Sequence, residues 1–150
     1  LSALLAHADR RVRQEAQFAL VEQALGRTIW QWKQIEIRKP GSAALDALGR
    51  VAAKGTDQRA RLHAIWGMGM IGRKRPEVMR STEALLKDSD AEVRAQAAKV
   101  LGETRYTPAF RSLVPLLSDS SSRVRFFAAS ALGRLGNKEA VQPILSMLRD

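Results

Sequence analysis

The sequence contains no cysteine, which excludes a disulfide framework, a cysteine zinc site, a thiol nucleophile and covalent haem attachment together. Histidine is nearly absent as well. His7 and His63 are the only two, and no H-E-x-x-H or comparable spacing surrounds either, so no metal is expected and His63 reads as a partly buried or surface residue. No serine sits in a G-x-S-x-G elbow and no glycine-rich loop ends in Gly-Lys-Ser/Thr, so catalysis and a cofactor are not expected. Uncharged stretches such as 64–72 fall far short of the roughly 18 apolar residues a membrane span needs. The chain opens at Leu1 without a methionine and without a signal-peptide layout, which gives the expectation of a module from a longer protein.

Negative charge is also in deficit: 15 Asp+Glu stand against 25 Lys+Arg, a net charge of +10 and a pI near 11.0. A basic disordered tail is nevertheless excluded. With 45% apolar residues in 150, the chain can bury a core, and one domain over 1–150 is expected.

Self-comparison organises the rest. Four windows begin at Val12, Ala60, Val93 and Val124, each with Arg at +1 (Arg13, Arg61, Arg94, Arg125), Ala at +4 and a large apolar residue at +8. That spacing draws one buried stripe along a helix. Glycine follows at +9 in three of them, as Gly69, Gly102 and Gly133, and an apolar pair precedes each window by eight residues: Leu4-Leu5, Ala52-Ala53, Leu85-Leu86 and Leu116-Leu117. Between pair and window lie Asp9, Asp57, Asp88-Ser89-Asp90 and Asp119-Ser120-Ser121, whose side chains can accept from the first free helical N–H groups. Each unit therefore reads as helix, turn, helix. First helices are expected over 43–53, 78–87, 109–117 and 139–148, second helices over 10–24, 58–71, 91–103 and 122–135. Met147-Leu148 opens a fifth, truncated copy, and Pro115 should kink its helix.

Spacing between windows is 31 and 33 residues, but 48 from Val12 to Ala60. The excess falls near 28–42 as an irregular insertion with Trp30 and Trp32 beside Lys33, Arg38 and Lys39. Its apolar positions change phase, so strand and helix both stay open there. The two rings must either pack back on the repeats or meet another protein surface.

The string Asp90-Ala91-Glu92-Val93-Arg94 through Ala97 to Leu101-Gly102 resembles a HEAT repeat, in particular the short HEAT-like type first associated with phycobilisome lyases. The resemblance implies an all-α solenoid of antiparallel helix pairs, with about four repeats and a truncated fifth, in which stacking supplies the core. It also implies a structural ladder at Arg13, Arg61, Arg94 and Arg125 with Asp9, Asp57 and Asp90. Residues 11–20 and 60–69 are further similar to HEAT segments of large bacterial proteins that join a dehydrogenase-like propeller to a cytochrome c domain. That resemblance implies a spacer in an exported or periplasmic protein; without it the cytoplasm is the expectation. No haem residue carries over.

Gly67-Met68-Gly69-Met70-Ile71-Gly72 fits G-x-G-x-x-G but ends a helix instead of opening one, so close helix packing together with helix termination is the reading. Phe18 and Trp66 share the +6 column, where the other copies carry Lys99 and Ser130; such a variable column suits a binding surface. Residues 1–75 hold 14 basic and 6 acidic residues, net +8, against net +2 over 76–150. The excess lies in Arg10-Arg11-Arg13, Arg38-Lys39 and Arg73-Lys74-Arg75. The expected function is a non-enzymatic, monomeric scaffold that contacts a protein partner or flanking domains of the same chain. Partner-binding candidates are Trp30, Trp32, Phe18, Trp66, Arg10, Arg11, Arg38, Lys39, Arg73, Lys74 and Arg75. Sequence-independent nucleic-acid binding through the basic half is the alternative.

Overall fold

The computed structural model describes residues 1–28, 36–37 and 41–149. Eight α-helices are present among them: α1 Arg10–Ala24, α2 Ser42–Lys54, α3 Gln58–Gly72, α4 Met79–Ala84, α5 Ala91–Glu103, α6 Phe110–Leu113, α7 Ser122–Leu135 and α8 Val141–Met147. No described helix is long and apolar enough to cross a membrane. The chain forms two compact units, Leu1–Arg75 and Pro76–Asp150.

In the first unit, the 3₁₀ turn Ser2–Ala6 and α2 pack with α1 and α3 around Leu5, Leu48, Ile65, Met68 and Ile71, all at most 1% exposed. Burying each such side chain contributes about 1.5–3 kcal/mol. Arg27–Thr28 pairs antiparallel with Glu36–Ile37, a short ribbon within the stretch whose period was ambiguous. In the second unit, α5 and α7 lie side by side, and Val93, Leu101, Val124 and Leu132 put the 0 and +8 positions of both windows wholly inside.

The four second helices start and stop where cap and stripe predict. Asp9 accepts from the backbone N–H of Arg11, Asp57 from that of Ala60, and Asp90 from those of Glu92 and Val93. Ser121 makes no side-chain cap; Asp119 instead accepts from the Ser121 N–H at 2.9 Å.

The first helices of the second unit are less regular than the stripe alone predicts. The segment expected at 78–87 is 3₁₀ over Pro76–Val78, α over α4 and 3₁₀ again over Leu85–Lys87. The segment at 109–117 has the same sequence, with 3₁₀ at Thr107–Ala109 and Val114–Ser118. Pro115 accounts for the second of these: it has no N–H to give and its ring crowds the carbonyl four residues back, so the α ladder stops at Leu113 and the chain tightens. Pro143 sits in the first turn of α8, where no N–H is required. At the helix C-termini, Gly136 takes φ 70 and Arg105, at the corresponding position after α5, takes φ 51. The arginine accepts a conformation that costs an L-residue roughly 1 kcal/mol.

Glycines in the helices set approach distances. A Cβ on Gly67 would stand 3.3 Å from Leu48 and 3.4 Å from Gln17 and Val21, so the G-x-G-x-x-G string serves helix packing inside α3. A Cβ on Gly102 would stand 2.6 Å from the Cα of Ala131, so α5 meets α7 backbone to backbone.

Candidate functional site

The window arginines bind turns. Arg13 Nη1 donates to the carbonyls of His7 and Ala8, both at 2.7 Å. Arg94 Nη1 donates to Asp88 and Ser89, and Arg125 Nη1 to Asp119 and Ser120. Arg61 reaches instead to Ala52 at 2.8 Å. Three of the guanidiniums thus occupy carbonyls at and just past the end of the preceding 3₁₀ turn, and Arg61 occupies one in the last turn of α2, where helical carbonyls lack intrahelical donors. Arg94 does more: its Nε and Nη2 donate to the two carboxylate oxygens of Asp119 at 2.8 and 2.9 Å. The Arg94 bonds hold the Asp119 carboxyl below its ordinary value, and the same pairing raises Arg94.

A cleft of about 360 Å³ lies between α1 and α3 in the first unit. Both are second helices and run in the same direction, since Arg13 bonds to His63 and Gln17 to both His63 and Met70. Three guanidiniums stand at the N-terminal end of the cleft. Arg10 is exposed and has no carboxylate partner among the described residues. Arg13 is fixed by its two carbonyls, and Arg59 is steadied by Asp57 at 3.0 Å. Phe18 and Trp66, both half-buried, line it about two turns further on, with Gln14 and Leu62 between. Among the described residues, no carboxylate lines the cleft.

Its floor is polar and fully bonded. The Nε of Arg13 carries a hydrogen, so His63 Nε2 accepts from it at 3.3 Å, and His63 Nδ1 holds the ring proton and donates to Gln17 Oε1 at 2.8 Å. The Gln17 amide in turn reaches Met70 Sδ at 3.5 Å, and Trp66 meets the imidazole edge to face with ring centres 5.0 Å apart. Burial pushes the His63 imidazole below its ordinary value of 6.5, with the charges of Arg13 and Arg10 adding to it.

A stability consequence follows for pH. The unfolded chain takes up the His63 proton at a higher pH than the folded chain, so stability declines as pH falls below about 6.5, until the folded value is passed. Thermal unfolding between about pH 7 and pH 5 should show a smaller loss for His63→Gln than for the unsubstituted protein.

The structure unites some candidates and separates others. Arg10, Phe18 and Trp66 share the cleft with Arg13. Arg11 turns away: it pairs with Asp9 at 3.2 Å and borders an apolar hollow with Leu1, Leu4 and Met70. Arg73, Lys74 and Arg75 follow the end of α3 and do not line the cleft. Trp30, Trp32, Arg38 and Lys39 lie outside the described residues. Arg59, Gln17 and His63 were not read as site residues from the sequence. A signal existed for one: Gln17 occupies the +5 column, where Ile65 and Ala98 are wholly buried, so a polar residue there needs a partner.

This arrangement of stacked helical hairpins is an all-α repeat fold of the HEAT/armadillo solenoid class. Residues 78–150 match the family profile described as HEAT repeats. Among solved structures, the chain is similar to a designed armadillo repeat protein in complex with the peptide (KR)4, with TM-score 0.55 and 21% identity over 97% of this chain and 68% of that one. An engineered protein of the Northeast Structural Genomics Consortium gives TM-score 0.52 and 22% identity over 97% of this chain and 66% of that one. A second engineered protein from the same source gives 0.53 and 23%, over 97% and 67%. The chain thus spans about two thirds of the length of these structures. No curated protein matches the sequence.

Proposed function

We propose that residues 1–150 act as a non-enzymatic interaction module that docks a protein partner or a flanking domain of the same longer chain. The α1/α3 cleft carries this reading: exposed cations, two half-buried aromatic rings and a hydrogen-bonded floor are the composition of a protein-binding surface. Repeat solenoids are typical interaction scaffolds, and the designed armadillo relative was solved with a peptide bound. The short-repeat resemblance, and the similarity to HEAT segments between a propeller and a cytochrome c domain, favour an interdomain spacer. In this reading Arg61, Arg94 and Arg125 serve the repeats, while Arg13 serves both repeat and cleft.

Panning a library of displayed random peptides on the protein tests it. Enrichment of peptides that bind the protein and fail to bind the triple variant Arg10→Glu, Arg59→Glu, Trp66→Ala is the expected result. No enrichment, or peptides indifferent to the variant, would remove the cleft from consideration. The excess charge of residues 1–75, net +8, favours duplex nucleic acid as a second reading. Absence of binding to duplex DNA at about 50 mM salt rejects it.

A further inference from the structure

We propose that the α1/α3 cleft takes an extended acidic peptide segment, with a carboxylate pair on Arg10 and Arg59 and a bulky apolar side chain about three residues away against Phe18 and Trp66. This rests on the reading of the chain as an interaction module and adds the chemistry and spacing of the partner.

Charge selects the partner's sign. Three guanidiniums line a wall that carries no carboxylate among the described residues, and Asp57 occupies only one N–H group of Arg59. Arg13 commits Nε and Nη1 within the protein and is a fixed positive charge behind the other two. Arg10 and Arg59 are exposed and keep free donors in the planar fork that suits a carboxylate.

Geometry selects the spacing. Arg10 and Phe18 are eight residues apart on α1, and Arg59 and Trp66 seven apart on α3. At about 1.5 Å per residue, each pair is separated by about 10–12 Å along the helix. An extended strand advances about 3.3 Å per residue, so its apolar anchor falls about three residues from its acidic one. Both helices carry the same order, cation first and ring second: the rings share the +6 column, and the arginines stand at −2 and −1 of their windows. Size argues against duplex nucleic acid as the occupant: a volume of about 360 Å³ receives one or two side chains, not a groove-bearing double helix.

The test uses a fluorescein-labelled peptide with a central phenylalanine and a glutamate pair about three residues away on each side, so that chain direction does not matter. Fluorescence polarisation at about 50 mM salt should give saturable binding, weakened about tenfold or more by serine in place of phenylalanine, by Trp66→Ala, or by glutamates moved next to the ring. The lysine counterpart of the peptide should not bind. With Arg10→Glu and Arg59→Glu together the preference should reverse, the lysine peptide binding and the glutamate peptide not. That gain of binding separates a lost contact from a lost fold. Equal affinity for both peptides, insensitivity to glutamate position, or displacement of the peptide by an oligo-dT strand that binds more tightly overturns the proposal. If panning enriches cleft-dependent peptides that are not acidic, the interaction-module reading stands and this inference alone fails.

Discussion

Replacing Gly102 with valine is expected to lower stability by about 3 kcal/mol or more, whereas replacing Gly133 with alanine should raise it by about 0.5–1 kcal/mol. Both glycines hold the +9 position of their windows, one in α5 and one in α7. A Cβ at 102 would lie 2.6 Å from the Cα and 2.8 Å from the Cβ of Ala131, whereas one at 133 meets nothing within 4 Å. The obstacle at 102 is backbone and a methyl group, neither of which can swing aside. α5 and α7 must therefore separate, and the loss spreads over the whole contact. Gly102→Ala falls between the two: a helix-propensity gain of about 1 kcal/mol opposes overpacking of about 1–3 kcal/mol. At about 4–8 °C per kcal/mol for a unit of this size, calorimetry should resolve all three. A Gly102→Val protein that melts at the original temperature would mean that the helices do not touch there.

Asp119→Ala should cost about 2–4 kcal/mol, because it leaves the Arg94 guanidinium, only 14% exposed, facing a void where a bidentate carboxylate had been. The same carboxylate fixes the Ser121 turn at the start of α7, so the loss includes a helix start. Asp119→Asn keeps the shape and should cost less. The sign of the pH dependence is opposite in kind to a group stabilised by protonation. The folded Asp119 pKa lies below its ordinary value of 3.8, so its contribution is complete above that value and is lost as pH falls through the folded one. Acid unfolding of Asp119→Asn should lack this component. A double-mutant cycle with Arg94→Met, read by denaturant titration, isolates the pair; coupling within about 0.5 kcal/mol of zero would refute it.

The repeat was legible because its signals reinforce one another: an aspartate cap, an apolar stripe and a following glycine each mark the same helix. Asp9, Asp57 and Asp90 cap as their positions predict. The 3₁₀ segments were legible only where a proline forces them, at Pro115, and not at Leu85–Lys87, where no residue type announces a tighter turn. The cleft was half legible. Phe18 and Trp66 stood out as a shared column, but their union with Arg59, Gln17 and His63 depends on two helices lying side by side, which no single window contains. The run Arg10-Arg11-Arg13 looked like one charge cluster. On a helix it divides: residues 10 and 13 are neighbours on one face and residue 11 lies about 100° from residue 10, which is how Arg11 comes to pair with Asp9 outside the cleft.

One guanidinium, that of Arg94, holds the carbonyls of its own turn and the carboxylate of the next. In a linear array, cooperativity is the ratio of coupling between neighbours to the stability of each hairpin alone. A side chain that belongs to two hairpins at once raises that ratio without strengthening either. Fraying of α7 therefore exposes a charge that α5 had satisfied, and the two are bound to open together. Amide hydrogen exchange in both helices should accordingly follow a single opening free energy, and removing Asp119 should divide it into two.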